Sequence, residues 1–249
     1  MKNKYKDEMR KIVPTEELIS RTKTAMTKEN YNMKKPIVKR FSVVAVACIA
    51  ILVTATTAFA TWHFTRASDI ADLAGNTALS SAFEGESAIN INQTIATDNY
   101  IFTLLAIVSG QDISDHPIYN STGEVLDDRT YAVLAIQKAD GSPMPQPMDD
   151  DFVSFTISPF VRGKAPWQTN IFTLYGGHIT MVVDGVMYFI TDFTNIEIYA
   201  DIGVYLGITT GQMIGGIMDS FTFDETTGEI DTNPDFDGTN VIFTLPFGQ

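Results

Sequence analysis

The side chains best suited by type and spacing to chemistry lie in one acidic segment near the end of the chain: Asp231, Asn233, Asp235 and Asp237. Oxygen ligands at alternate positions of a short loop are typical of calcium sites. An EF-hand loop also needs glycine at its sixth position and glutamate at its twelfth, where Phe236 and Ile242 stand. The segment is therefore a calcium candidate that lacks the EF-hand pattern, and a solvated acidic turn is the alternative.

The histidines and the cysteine form no catalytic or metal-binding pattern. No two of the three histidines (His63, His116 and His178) have the spacing of a zinc-binding helix, and Cys48 is the single cysteine. The chain also lacks a phosphate-binding glycine loop and the G-x-S-x-G pattern of serine hydrolases. A hydrolase built on His116 or His178 would need a nucleophile that the sequence does not indicate. We therefore predict no enzyme activity, no catalytic residue, no metal and no cofactor.

One basic and aromatic combination stands out in the acidic part of the chain. Trp167 follows Pro166, and Arg162 and Lys164 lie just before it. Aromatic and cationic side chains together are typical of contact surfaces. We predict that Trp167, Arg162 and Lys164 contact a ligand or a partner, and a lid over the hydrophobic core is the alternative for Trp167.

The elements that would position these residues follow from the distribution of charge. Residues 1–40 hold twelve basic and five acidic side chains, a net charge of +7. Residues 41–249 hold five basic and 25 acidic side chains, a net charge of −20. This acidic balance argues against direct binding of nucleic acid.

An uncharged stretch separates the two regions. Residues 41–64 contain no Asp, Glu, Lys or Arg, and as a helix they would reach roughly 36 Å, against the ~30 Å of a bilayer core. The sequence therefore predicts one transmembrane helix in the cell membrane. Because the basic cluster of residues 34–40 precedes it, the N-terminus should be cytoplasmic and the C-terminal region outside. A cleaved signal peptide is the alternative, since Ala58-Phe59-Ala60 fits a cleavage site.

Small residues within this predicted span point to self-association. Ala50, Thr54 and Ala58 are spaced four residues apart. Small side chains at this spacing let two transmembrane helices approach closely. The pattern predicts a weak homodimer within the lipid bilayer.

The cytoplasmic residues 1–40 are predicted to form a tail of short amphipathic helices. Pro14 separates two apolar stripes, whose members include Met9, Ile12, Leu18, Ile19 and Met26. Helices this short are unstable alone in water, so the stripes need a surface against which to pack. We predict that they bind a cytosolic partner, and the alternatives are the membrane surface or a merely solvated tail.

The remaining sequence predicts a mainly β protein. Residues 65–84 read as two short helices forming a stalk, and residues 85–249 as an extracytoplasmic antiparallel domain resembling a β-sandwich. Asp184-Gly185 between two apolar runs is the clearest hairpin turn. The runs Ile171–Tyr175 and Ile217–Phe223 are also predicted to be strands.

Several stretches resemble a known group of proteins: Tyr5–Ile19, Leu126–Val133 and Asp224–Ile230. They are similar to uncharacterised single-pass membrane proteins of clostridia-like Gram-positive bacteria with a domain of unknown function. Some of these resemble membrane-bound anti-sigma factors, and Pro14–Leu18 is similar to the start of such inhibitors. The histidine–cysteine motif of the zinc-associated anti-sigma class is absent.

The resemblance implies a regulatory function. The cytoplasmic helix would hold a sigma factor or another cytosolic regulator, and the outer β domain would sense or bind at the cell envelope. The alternative is a passive surface module that binds or supports without a role in signalling.

Overall fold

The computed structural model describes residues 65–211 and 213–247. The predicted tail (1–40) and the predicted span (41–64) lie outside the described residues. Within the described ranges, no helix is long and apolar enough to cross a membrane.

Three short α-helices and twelve strands make up the described chain. The helices are α1 (Ala67–Leu73), α2 (Thr77–Glu84) and α3 (Met213–Ser220), with a 3-10 helix at Glu197–Tyr199. The strands are β1 (Ile89–Ala96), β2 (Tyr100–Gly110), β3 (Ile118–Tyr119), β4 (Val125–Leu126), β5 (Arg129–Lys138), β6 (Thr156–Val161), β7 (Gly177–Val183), β8 (Val186–Thr194), β9 (Val204–Thr209), β10 (Phe221–Phe223), β11 (Ile230–Thr232) and β12 (Asn240–Thr244). The prediction of a mainly β protein is confirmed.

The strands pair antiparallel in two principal sheets. The larger sheet has five strands in the order β1-β2-β5-β8-β7, and the smaller has three in the order β12-β9-β6. Two further pairs, β3-β4 and β10-β11, form short ribbons. This pairing confirms the prediction of antiparallel sheets.

The central strands of the five-stranded sheet are buried on both faces. In β5, Leu134 and Ile136 face a core shared with residues of the three-stranded sheet, whereas Val133 and Ala135 face a second core that includes α1 and α2. A strand covered on both sides needs apolar residues at almost every position, which explains the continuous apolar runs of β2 and β5.

A β-bulge in β2 changes which of its residues face each of the two cores. Leu104 pairs with Leu134 and Ala106 pairs with Val133, so Leu105 is an extra residue without a partner on β5. A β-bulge reverses which face the following residues occupy. Ile107 therefore joins the core between the sheets.

The helices predicted as a stalk form a layer against the larger sheet. Ile70 of α1 and Leu79 of α2 are buried in the same cluster as Tyr188 and Ile190 of β8. The turn between the helices uses Gly75, whose φ of +74° favours glycine. These two helices therefore belong to the hydrophobic interior of the β domain.

Two predicted strands are turns or helix instead. Residues 171–175 form turns because the Asn170 side-chain oxygen accepts hydrogen bonds from the backbone N–H groups of Phe172 and Thr173. The run predicted over Ile217–Phe223 begins inside α3 and becomes extended only at Phe221. Side-chain bonding to the local backbone and tertiary packing override the apolar pattern in these segments.

Candidate functional site

A buried ion pair lies at the end of the larger sheet. Arg129 begins β5, and its side chain is 2% exposed, whereas the side chain of Asp192 on β8 is 15% exposed. Arg129 Nε donates to Asp192 Oδ2 at 2.9 Å, and Nη2 contacts the same oxygen. Since Arg129 pairs with Thr194 and Tyr131 pairs with Asp192, the strand register fixes this contact.

A backbone carbonyl group also accepts a hydrogen bond from the Arg129 side chain. Nη2 donates to the carbonyl oxygen of Tyr175 at 2.8 Å, and Tyr175 has a φ of +51°, which is unusual for a non-glycine residue. Burial raises the pKa of Asp192, and the neighbouring Arg129 guanidinium opposes this rise. The pair is thus held by both strand pairing and an adjoining turn.

One nitrogen of the Arg129 guanidinium makes no hydrogen bond within the described chain. Nη1 is buried and has no hydrogen-bond partner among the residues that the structure describes. A buried donor without a partner costs about 1–3 kcal/mol, so such groups in native proteins call for an explanation.

A cavity of about 250 Å³ lies beside the ion pair, between the α1–α2 turn, the loop before β3 and the outer face of the larger sheet. Both Asp192 and Tyr131 line it, and burial raises the pKa of Tyr131. The other polar side chains in its wall belong to Asn76, Ser114, His116 and His178.

The arrangement around the cavity is suited to binding. Hydroxyl, amide, imidazole and carboxylate groups line one small space, which is typical of ligand sites. Across the two described ranges, no hydrogen bond joins a histidine ring to a serine, threonine or carboxylate side chain. A relay that activates a nucleophile would need such a contact.

The predicted surface contact forms a second candidate site. Trp167 is 56% exposed and packs edge-on against Phe223, with ring centroids 6.1 Å apart. Lys164 Nζ lies 4.5 Å from the centre of the Tyr199 ring and 3.3 Å from its hydroxyl oxygen. The Trp167 side chain therefore packs partly against Phe223, and the rest of it is exposed to solvent.

Arg162 of this surface belongs to a small polar network. Arg162 Nη2 lies 2.6 Å from Glu229 Oε1. The Tyr205 hydroxyl donates a hydrogen bond to Oε2 of the same carboxylate at 2.6 Å. Burial and the hydrogen bond to Glu229 raise the pKa of Tyr205 to about 12. The network ties β6, β9 and the β10–β11 turn together beside Lys164.

The acidic segment does not assemble a metal site. Asp231 Oδ1 accepts from the backbone N–H of Thr232, and Asn233 Oδ1 accepts from the backbone N–H of Asp235. In the described part of the chain, no group of three or more His, Cys, Asp or Glu side chains could hold a metal ion. The Asp231 and Asn233 side-chain oxygens thus bond to the backbone of their own loop.

The predicted partner-binding side chains of the tail lie outside the described residues: Met9, Ile12, Leu18, Ile19 and Met26. The Arg129–Asp192 pair, in contrast, was missed by reasoning from sequence. In the sequence, Arg129 stands at the start of one apolar run and Asp192 lies inside another. Charged residues that fall in buried strands need a partner, and this rule could have linked them.

Likeness to known proteins gives no guide to either site. No protein-family model, curated protein or solved structure matches the chain. The resemblance to single-pass membrane proteins stays a prediction.

Proposed function

We propose that the chain is a membrane-anchored regulatory protein of the anti-sigma-factor type. In this proposal the tail of residues 1–40 binds a cytosolic sigma factor or another regulator. Residues 41–64 cross the bilayer once, and residues 65–249 form a β-sandwich-like binding domain outside the cell. The observation that carries the proposal is the uncharged 41–64 stretch between a region of net charge +7 and one of −20.

Two features of the described domain support a binding role for the C-terminal part of the chain. It has its own hydrophobic clusters, and it offers a polar cavity lined by Asp192, one member of the buried ion pair. It also exposes Trp167 next to Lys164. Both features suit the recognition of a small molecule or a partner, and neither requires catalysis.

Membrane topology provides the first test. Met148 is almost fully exposed, so Met148→Cys in a Cys48→Ser background places one thiol on the described domain. An Asn3→Cys variant in the same background is the matched probe for the tail. A membrane-impermeant maleimide should label Met148→Cys in intact cells, and Asn3→Cys only after lysis. Labelling of both only after lysis, or recovery of the chain in the cytosol, would contradict the proposal.

The cytosolic partner provides the second test. Leu18→Asp combined with Ile19→Asp introduces two charges into the predicted stripe and should abolish copurification of the partner from solubilised membranes. Thr24→Asp combined with Asn30→Asp adds the same charge off the stripe and should retain it. If the bound proteins are the same in all three chains, the tail has no docking role.

Exposure of Trp167 also favours the alternative of a passive surface module. In that case deletion of residues 1–33 would leave transcription unchanged while binding at the cell surface persists. A change in transcription on the same deletion would favour the regulatory function.

A further inference from the structure

Strand β7 is an open edge of the five-stranded sheet. Its seven residues, Gly177–Val183, contain no charged residue and no proline. Strand β8 pairs with one side of β7 along its whole length, and no strand of the described chain pairs with the other side. Exposed strand edges offer unpaired N–H and C=O groups to another chain, and natural proteins usually protect them.

The other principal edges carry such protection. Strand β1 is interrupted by an irregular register between Asn90 and Gln93, with Asn92 at a φ of +51°. Strand β6 contains Pro159, which has no N–H to donate. Strand β12 lies against the β10–β11 ribbon, and the Asn240 side chain bonds to the backbone of Ser220 and Asn233. Strand β7 is the long edge without such a device in the described chain.

The hairpin fixes which groups of β7 point outward. Asp184 and Gly185 have φ values of +50° and +80°, as in a two-residue type I′ turn, so Val183 and Val186 form a hydrogen-bonded pair. Alternate residues then bond to β8, and the N–H and C=O groups of His178, Thr180 and Val182 face away from it. No hydrogen bond from another described residue reaches these groups.

The stretch of sequence that contains this edge is uncharged. No Asp, Glu, Lys or Arg occurs between Ala165 and Val183, although the region after residue 64 has a net charge of −20. Four large side chains of this stretch are exposed: Trp167 by 56%, Phe172 by 48%, Tyr175 by 52% and Ile179 by 41%. Depletion of charge and enrichment in aromatic residues are typical of the central part of a protein interface.

We propose that two copies of the chain associate by antiparallel pairing of β7 with β7 about a two-fold axis at Thr180. The two five-stranded sheets then form one continuous ten-stranded sheet. Three pairs of residues, Thr180 with Thr180 and His178 with Val182 twice, exchange roughly six main-chain hydrogen bonds. Ile179 of each copy faces Met181 of the other at the close, non-hydrogen-bonded positions.

The distribution of charge selects a second copy as the occupant. A basic partner would be drawn to the acidic remainder of the domain, and it finds no carboxylate along β7. The region after residue 64 has a net charge of −20, so these regions of two copies repel each other except where both surfaces are uncharged, and β7 is such a surface. In the two-fold register Asp184 lies opposite Gly176, so no carboxylate faces another across the junction.

Cysteine cross-linking tests the register in the full chain. In a Cys48→Ser background, Thr180→Cys places two thiols opposite each other at a separation that a disulfide can span. Mild oxidation of solubilised membranes should give a covalent dimer. Gln93→Cys on the exposed β1 edge of the same sheet is the matched control and should remain monomeric. Equal cross-linking of the two variants would overturn the proposal.

Removal of one outward N–H tests the hydrogen-bonded ladder. Thr180→Pro deletes a donor that faces away from β8, whereas Thr180→Val keeps it. Sedimentation in detergent at micromolar concentration should show a dimer for the wild-type chain and for Thr180→Val. For Thr180→Pro the dissociation constant should rise by about tenfold or more. A monomeric wild-type chain, or a Thr180→Pro chain that dimerises like the wild type while its tryptophan fluorescence is native, would overturn the proposal.

Discussion

Arg129 and Asp192 form an ion pair across neighbouring strands, and 63 positions of sequence separate them. Both side chains are almost completely buried. A buried ion pair gains electrostatic attraction between its charges but loses the hydration of both. The pair therefore adds little stability relative to apolar side chains of the same size. Its partners nevertheless depend strongly on each other, because either charge would be buried without compensation if the other were removed.

Removal of one charge should destabilise the domain strongly. We expect Arg129→Met to lower the free energy of unfolding by about 3–5 kcal/mol, because the Asp192 carboxylate loses its counter-ion. The double variant Arg129→Met with Asp192→Leu should regain a large part of this loss. Urea unfolding followed by Trp167 fluorescence in a Trp62→Phe background measures these two variants, Asp192→Leu alone and the parent chain. Additive effects of the two single substitutions would show that the side chains are not coupled.

Local chemistry made part of this fold predictable. The Asp184-Gly185 hairpin and the glycine after α1 follow from turn residues, and the strands β2 and β5 follow from long apolar runs. In each case the determining residues are neighbours in sequence. The antiparallel, mainly β class followed from such segments.

The contacts that build the candidate site depend on distant segments. Nothing near Arg129 indicates Asp192, since their contact depends on the register of β5 against β8. Similarly, the apolar stripes of α1 and α2 indicate that they are covered, but not that the larger sheet covers them. Register and packing between layers are properties of the whole fold, which local periodicity does not specify.

The close approach of β9 to its neighbours requires glycine at position 207. A Cβ atom at Gly207 would lie 2.5 Å from the Phe160 ring and 2.7 Å from the Phe221 ring, whose centroids are 5.0 Å apart. We expect Gly207→Ala to lower the free energy of unfolding by about 1–3 kcal/mol through overpacking. Gly215→Ala, on the open side of α3, is the control and should have no cost. Urea midpoints that change equally in both variants would contradict this explanation.

The Tyr205–Glu229 contact predicts a loss of stability in alkali. The pKa of Tyr205 is about 12 in the folded domain and about 10 in an unfolded chain, so the folded state binds the phenolic proton more tightly. The contribution is constant below about pH 10 and declines as the pH rises from 10 to 12, where only the unfolded chain has released the proton.

Tyr205→Phe provides the measurement for this effect. The variant has no phenolic proton, so its unfolding free energy should decline less steeply than that of the wild type over this range. Urea unfolding at intervals between about pH 9 and 12 compares the two slopes. Parallel curves would show that Tyr205 titrates alike in both states.

Asn76 connects the helical layer to the loop that closes one side of the cavity. Its Oδ1 accepts from the backbone N–H of Leu79 at 3.1 Å and of Asp115 at 3.0 Å, and its Nδ2 donates to Ser114 Oγ at 2.8 Å. Asn76 is buried, so water cannot replace these bonds without rearrangement. The same side chain thus caps α2 and holds the loop before β3 in place.

Substitutions at Asn76 should separate these two roles. Asn76→Ala removes the helix cap and leaves the Asp115 N–H without a partner, so we expect a loss of about 2 kcal/mol. Asn76→Asp keeps the acceptor but loses the donor to Ser114 and buries a carboxylate, whose cost the two N–H donors and the N-terminus of α2 offset in part. Its unfolding free energy should therefore fall between those of the wild type and Asn76→Ala. Amide hydrogen exchange should accelerate in residues 113–118 in both variants, because both release Ser114 from the helical layer. Unchanged exchange there in Asn76→Ala would show that this loop is held by other contacts, and the cavity wall would then not depend on Asn76.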